Sequence, residues 1–267
     1  MRGPGNRQPL ASIGVLVTRP KHQSQHLAEL IRSLGGEPLL FPAMEIVAQP
    51  DDLTAPVLKR LAQFDLAIFT SPNAARLVMQ RINQAGGLPA GVRVAALGPG
   101  TAAELKKSGV CEMITPEAAF DSEALLDALS GLPLAGKRVV IFRGQGGREL
   151  LGESLLRRGA EVEYAECYRR EKPRHNLAEL MPLWQQGRLR ACLATSSEIV
   201  INLFDMAGEA CQPWLCQTPM FVSHARVATT VFAFGVRTVF VAGAGDEALA
   251  SGLETWFSRL RQVKPVT

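Results

Sequence analysis

The chain has 267 residues, 47% apolar and 20% charged, enough for one large or two ordinary globular domains with real cores. Its 29 basic side chains exceed the 25 acidic ones by four, a balance too small and too evenly spread for a nucleic-acid-binding arm but suited to an anionic small ligand. Five cysteines without CxxC or zinc-type spacing read as free thiols, no stretch approaches the ~20 apolar residues of a membrane span, and Ile13 to Val17 is too short a run for a signal peptide, so a cytoplasmic protein without nucleic-acid or membrane partners is expected.

In chain order, short β-branched runs alternate with amphipathic helical patterns. The runs are GVLVT at Gly14, LAIFT at Leu66, RVAAL at Arg93, RVVIF at Arg138, ACLAT at Ala191, MFVS at Met220 and TVFVA at Thr238. Each gives way to a polar or glycine turn and then to a helix, and Gly35, Gly109, Gly159 and Gly235 stand where helix C-caps favour glycine. Strands alternating with helices predict α/β architecture with parallel sheets and right-handed crossovers.

The pattern occurs twice. VLVTRPKHQ from Val15 matches VVIFRGQGG from Val139, with Arg19 and Arg143, and Gly35 and Gly159, each 124 residues apart. FTSPNAARLVM from Phe69 matches ATSSEIVINLF from Ala194, with Ser71 and Ser196 offset by 125; Val110 and Val236 close matching segments at 126. FDSEALLDAL from Phe120 resembles GDEALASGLETW from Gly245. Two copies predict two small doubly wound, flavodoxin-like domains, whose ligands bind at the carboxyl ends of the strands.

Several familiar motifs fail on inspection. GPGTAA at Gly98 and GAGDEA at Gly243 imitate a dinucleotide fingerprint, but Pro99 lacks an N–H, and Asp246 and Glu247 would repel a pyrophosphate. GQGGRE at Gly144 fails at its sixth position. His22 and His26 are spaced i, i+4 without a third ligand, which reads as an exposed helix face and no metal site. No G-x-S-x-G elbow exists for a serine hydrolase.

What remains is a set of N–H-rich turns beside arginines. Arg19 and Arg143 follow first strands; Ser71 with Asn73, Thr101, Ser196 with Ser197, and Ser223 with Arg226 each open a helix. Each hydroxyl taken singly reads as a plain N-cap, and each arginine as a surface ion pair. Together they would ring a cleft between two domains with anion-attracting helix starts, which suits a ligand carrying many separated negative charges. Ala74, Gly98 and Gly144 complete the candidate binding set.

VTRP (17–20), FTSPNA (69–74), ALGPGTA (96–102), FRGQGGRELL (142–151), GAEVEYAECYRR (159–170) and ATSSEIVINLF (194–204) occur in this order. The ordered set resembles the uroporphyrinogen-III synthase family, over Val15 to Phe257. The resemblance implies a small-molecule substrate, hydroxymethylbilane, a linear tetrapyrrole with eight carboxylates, closed with inversion of its last ring and loss of water. It implies no metal, no organic cofactor and a monomer. It also implies that the domains exchange their first repeat units: 1–41 with 170–267 in one, 42–169 inserted as the other, and segments 38–48 and 162–173 crossing as a two-stranded linker.

Within that resemblance Tyr168 matches a tyrosine the family places in the linker, and it is the candidate acid for the departing hydroxyl; a packing role stands beside that reading. A phenol with an ordinary pKa of about 10 donates a proton at neutral pH but is a slow base. The implied chemistry runs through an azafulvene cation and a spiro intermediate, with positioning as the main catalytic task. Two other functions compete: a cytoplasmic two-lobed sensor that binds an anion without chemistry, and a two-domain nucleotide-sugar transferase.

Overall fold

The computed structural model describes residues 8–117 and 119–263. In chain order the strands and α-helices are β1 (Gly14–Val17), α1 (Gln25–Ser33), β2 (Glu37–Leu40), β3 (Glu45–Ala48), α2 (Asp51–Lys59), β4 (Leu66–Phe69), α3 (Pro72–Gln84), β5 (Arg93–Ala96), α4 (Pro99–Lys107) and α5 (Ser122–Ala128). The second half continues with β6 (Arg138–Gly144), α6 (Leu150–Arg157), β7 (Glu161–Glu171), α7 (Met181–Gln185), β8 (Leu189–Ala194), α8 (Ser197–Gln217), β9 (Met220–Val222), α9 (Ala225–Ala233), β10 (Val239–Val241) and α10 (Asp246–Val263). All seven apolar runs are strands. The four expected C-cap glycines have φ of +84° (Gly35), +92° (Gly109), +82° (Gly159) and +81° (Gly235), the left-handed conformation that closes a helix. The α8 segment is two helices that meet at a break at Gly208.

The chain divides into two compact units, one up to Glu45 and from Glu171 onward, the other Ile46–Arg170. The first unit carries the sheet β2-β1-β8-β9-β10, with each neighbouring pair parallel. Counted in chain order within the unit this is 2-1-3-4-5, the flavodoxin-like doubly wound order. Val15, Val17, Ala191, Leu193 and Phe221 form one core with Leu27 and Ile31 of α1 and Leu249, Leu253 and Phe257 of α10.

The second unit carries β5-β4-β6-β7-β3, and its β5–β4, β4–β6 and β6–β7 pairs are parallel. Alternate residues of β4 face opposite layers, as the two-residue period of a strand requires. Ala67 and Phe69 enter a core with Val140, Phe142 and residues of α2, α3 and α4. Leu66 and Ile68 enter another with Val139, Ile141 and residues of α5 and α6. A strand this apolar is legible because both its faces are buried.

The repeat explains the order. In the first unit β9-β8-β1-β2 corresponds to β5-β4-β6-β7 of the second, so each sheet joins a strand pair from one sequence repeat to a pair from the other. The crossover from β4 goes outward to β5 and that from β6 goes outward to β7. The direction of winding therefore reverses between β4 and β6, and equally between β8 and β1. Ligands of doubly wound sheets bind at such reversal points, beyond the carboxyl ends of the strands.

Candidate functional site

The second unit has a pocket of about 220 Å³ at its reversal point. Thr70 and Ser71 reach it from the end of β4, Arg143 to Gly147 from the end of β6, and Tyr164, Tyr168 and Arg170 from β7. Ser71 is the N-cap of α3: its extended backbone stops the strand, Pro72 starts the helix, and the Ala74 N–H donates to Ser71 Oγ at 3.1 Å. The same Oγ lies 3.1 Å from the Tyr168 hydroxyl. The register shifts between Arg143 and Gly144 and sets Gly144 against Tyr168. A Cβ on Gly144 would stand 2.6 Å from Tyr168 Cζ and 2.9 Å from its hydroxyl, so the tyrosine ring occupies the space a side chain would need. Tyr168 is 2% exposed.

Arg143 lies inside strand β6, not after it as the sequence suggested. Its guanidinium sits 4.0 Å over the Tyr164 ring and donates to Glu149 at 3.0 Å and Glu166 at 3.5 Å. Glu166 also accepts the Gly146 N–H at 3.1 Å. The Tyr164 hydroxyl and the Arg143 guanidinium hold the Glu149 carboxyl below the usual carboxylate range, while burial first, then Glu149, raises the Tyr164 phenol. Carboxylates of the chain itself therefore already meet Arg143 and the glycine turn. Burial pushes the thiol of the neighbouring Cys167 up to about 12, which makes it a poor nucleophile.

Of the expected residues in this unit, the pocket brings together Ser71, Arg143, Gly144 and Tyr168. Asn73 and Ala74 lie in the first turn of α3, with Ala74 buried. Gly98 caps α4, and Thr101 sits in that helix's first turn with 3% of its surface exposed, which turns its hydroxyl away from solvent. Sequence reasoning left out Ser122, Gln145, Gly146, Gly147, Arg148, Tyr164 and Arg170, all of which line the pocket. The glycine run GQGGRE contains four of them, and its Gly146 N–H donates to the Glu166 carboxylate.

The first unit repeats the helix start. Ser196 caps α8 by accepting the Ile199 N–H at 3.2 Å, and Ser197 accepts from Thr230 at 2.7 Å. Ser223 does not open its helix: His224 is the N-cap of α9, and Ser223 donates instead to the Thr195 carbonyl at 3.0 Å. Arg226 is exposed in the first turn of α9. Arg19 pairs with Asp246 at 2.7 Å, both largely covered. Thus the acidic residues of GAGDEA serve Arg19 and, through Glu247, His26, which is bonded at 2.9 Å.

Fold and pocket define a protein of two doubly wound α/β units, with an arginine-lined pocket at the reversal point of one sheet. The profile of the family described as uroporphyrinogen-III synthase HemD matches residues 25–250. A uroporphyrinogen-III synthase of Salmonella typhimurium is 32% identical over 91% of this chain and 100% of its own length, and one of Escherichia coli is 30% identical over the same shares. A solved mutant uroporphyrinogen III synthase of Thermus thermophilus shares the fold at a TM-score of 0.60, with 21% identity over 94% of this chain and 99% of that one. The Helicobacter pylori structure gives 0.58 at 18% identity, over 92% and 99%. This chain belongs to the uroporphyrinogen-III synthase family.

Proposed function

We propose that the chain closes hydroxymethylbilane to uroporphyrinogen III with Tyr168 as the source of the proton that lets the terminal hydroxyl leave as water. Family membership supports the reaction. The single observation that carries the residue assignment is the Tyr168 hydroxyl, 3.1 Å from Ser71 in a wall that also holds Arg143, Arg148 and Arg170. The C–O bond breaks to leave an azafulvene cation; the substituted carbon of the last ring attacks it, the spiro intermediate fragments, and reclosure inverts that ring before a proton is lost. The pyrroles supply the electrons. The protein's tasks are to hold the chain in that fold and to protonate the leaving group.

Arg143 and the glycine turn take carboxylates of the substrate in this reading; Asn73, Ala74, Gly98 and Thr101 support the helix starts beside them. Ser196, Ser197, Ser223 and Arg226 are the first unit's candidates for further carboxylates, and Arg19, expected to be another, is taken up by Asp246. The chain passes between units at Glu45/Ile46 and Arg170/Glu171, and segments 38–48 and 162–173 are read as the linker. Five free cysteines suit a reducing compartment such as the cytoplasm.

The test supplies hydroxymethylbilane and resolves the isomers formed. Wild type gives type III above the spontaneous type I background. Tyr168→Phe lowers kcat by about a hundredfold, the low end of what a positioned acid contributes; equal rates would remove the tyrosine from the chemistry.

A further inference from the structure

Resting on that reading, we infer that Ser71 is the group that hands Tyr168's proton to the substrate. Tyr168 is 2% exposed, its ring packed where a Gly144 side chain would be. A phenol so covered is poorly placed to meet a leaving group on a bulky tetrapyrrole. Ser71 is partly exposed, lines the same pocket, and holds its Oγ 3.1 Å from the phenol oxygen.

The hydrogen-bond inventory of a hydroxyl makes the relay direction specific. Ser71 Oγ has one proton and two lone pairs. One lone pair accepts the Ala74 N–H. When the second accepts the Tyr168 O–H, the serine proton is left to point into the pocket. The N-terminus of the 13-residue α3 supplies partial positive charge beside both oxygens, which favours the anion that forms as the proton leaves.

The substrate C–O bond breaks, its electron pair stays on oxygen, and the Ser71 proton bonds to that oxygen to make water. The Tyr168 proton moves to Ser71 Oγ, leaving a phenolate beside the azafulvene cation. The proton released when the closed ring regains aromaticity returns along the same path. No outside acid or oxidant is consumed.

Ser71→Ala, Ser71→Gly, Ser71→Thr, Tyr168→Phe and the double variant Ser71→Ala/Tyr168→Phe test it, read as kcat, KM, isomer ratio and Tm. The relay predicts about a hundredfold loss of kcat for Ala and for Phe, the double variant no worse than either, and KM within threefold of wild type. Thr restores most of the rate. Gly, nearly as good a helix cap as serine, loses as much kcat as Ala while keeping more of the Tm. A role in capping alone would lower Tm and leave kcat intact; a role in holding carboxylates would raise KM and multiply with Tyr168→Phe; either result overturns the relay. Full activity in Tyr168→Phe, or no type III product from wild type, would instead sink the function on which it rests.

Discussion

Ser71 and Ser196 stand 125 residues apart at matching strand ends, and each caps its helix through the N–H three residues on, at 3.1 and 3.2 Å. Their surroundings differ. Ser71 meets a phenol from β7, whereas the repeat offset of 124 takes Tyr168 back to Met44, a buried thioether with no proton to give. Ser197 meets a second hydroxyl, Thr230. The arginines diverge likewise: Arg19 is locked to one carboxylate at 2.7 Å, and Arg143 shares itself between two at 3.0 and 3.5 Å beside an open pocket. One backbone plan thus carries two sets of neighbours: the helix cap is common to both units, and the side chain brought beside it differs.

The largest effect should come from filling the space beneath Tyr168. Gly144→Ala puts a Cβ 2.6 Å from the ring, so the ring must move and break its contact with Ser71. Activity should fall about a hundredfold or more, with type I product dominating, as expected when a positioned acid is lost. Retained activity would mean that the tyrosine's position is not what distinguishes the second unit.

Next in size is the exchange of each arginine for glutamine. Arg19→Gln leaves Asp246 covered without its partner, which should cost about 2 kcal/mol, or roughly 5 °C in Tm, with little change in KM. Arg143→Gln should raise KM several-fold with a smaller loss of Tm, because Glu149 is half exposed and can turn to water. Equal KM effects would place both arginines on the substrate and erase the contrast.

The smallest effect is a difference in pH response. In the first unit Glu247 raises the pKa of His26 through their hydrogen bond. Its contribution is complete below the unfolded value of about 6.5 and is lost as pH rises through the raised folded value. In the second unit Asp65 is lowered, by Lys137 first and then by the Arg138 N–H. Its contribution is present above about 3.9 and is lost as pH falls through the depressed folded value. Tm measured at pH 5.5 and pH 8.5 should therefore drop slightly toward alkali in wild type, and His26→Gln should remove that part of the slope. A slope unchanged in the variant would show that the pair adds nothing.

Seven strands were legible because each is a short β-branched run ended by a polar turn, and the repeat told which turns share a role. The caps at Ser71 and Ser196 followed from residue type and local spacing, which are within reach of a sequence. Pairings across the fold were not. Ser71 meets Tyr168 over 97 residues and Arg19 meets Asp246 over 227, and nothing local marks either partner. Ser223 was misplaced by one residue because His224, a less usual cap, takes the helix start. The glycine turn after Arg143 resembles a nucleotide loop in sequence, and nothing local marks Glu166, 20 residues on, as the partner of its Gly146 N–H.

The sheet order also sets a schedule for synthesis. The second unit is one continuous stretch, so it can close as soon as it has emerged. In the first unit Gly14 of β1 pairs with Leu189 of β8, 175 positions later (189 minus 14). At roughly 5–20 residues per second, β1 and β2 wait on the order of ten seconds or more for the strand that joins them to their sheet. During that time Ile13 to Val17, buried in the finished protein, is an unpaired apolar edge of the kind that recruits other chains. The price of sharing each sheet between two repeats is therefore a nascent chain that needs shelter at its beginning.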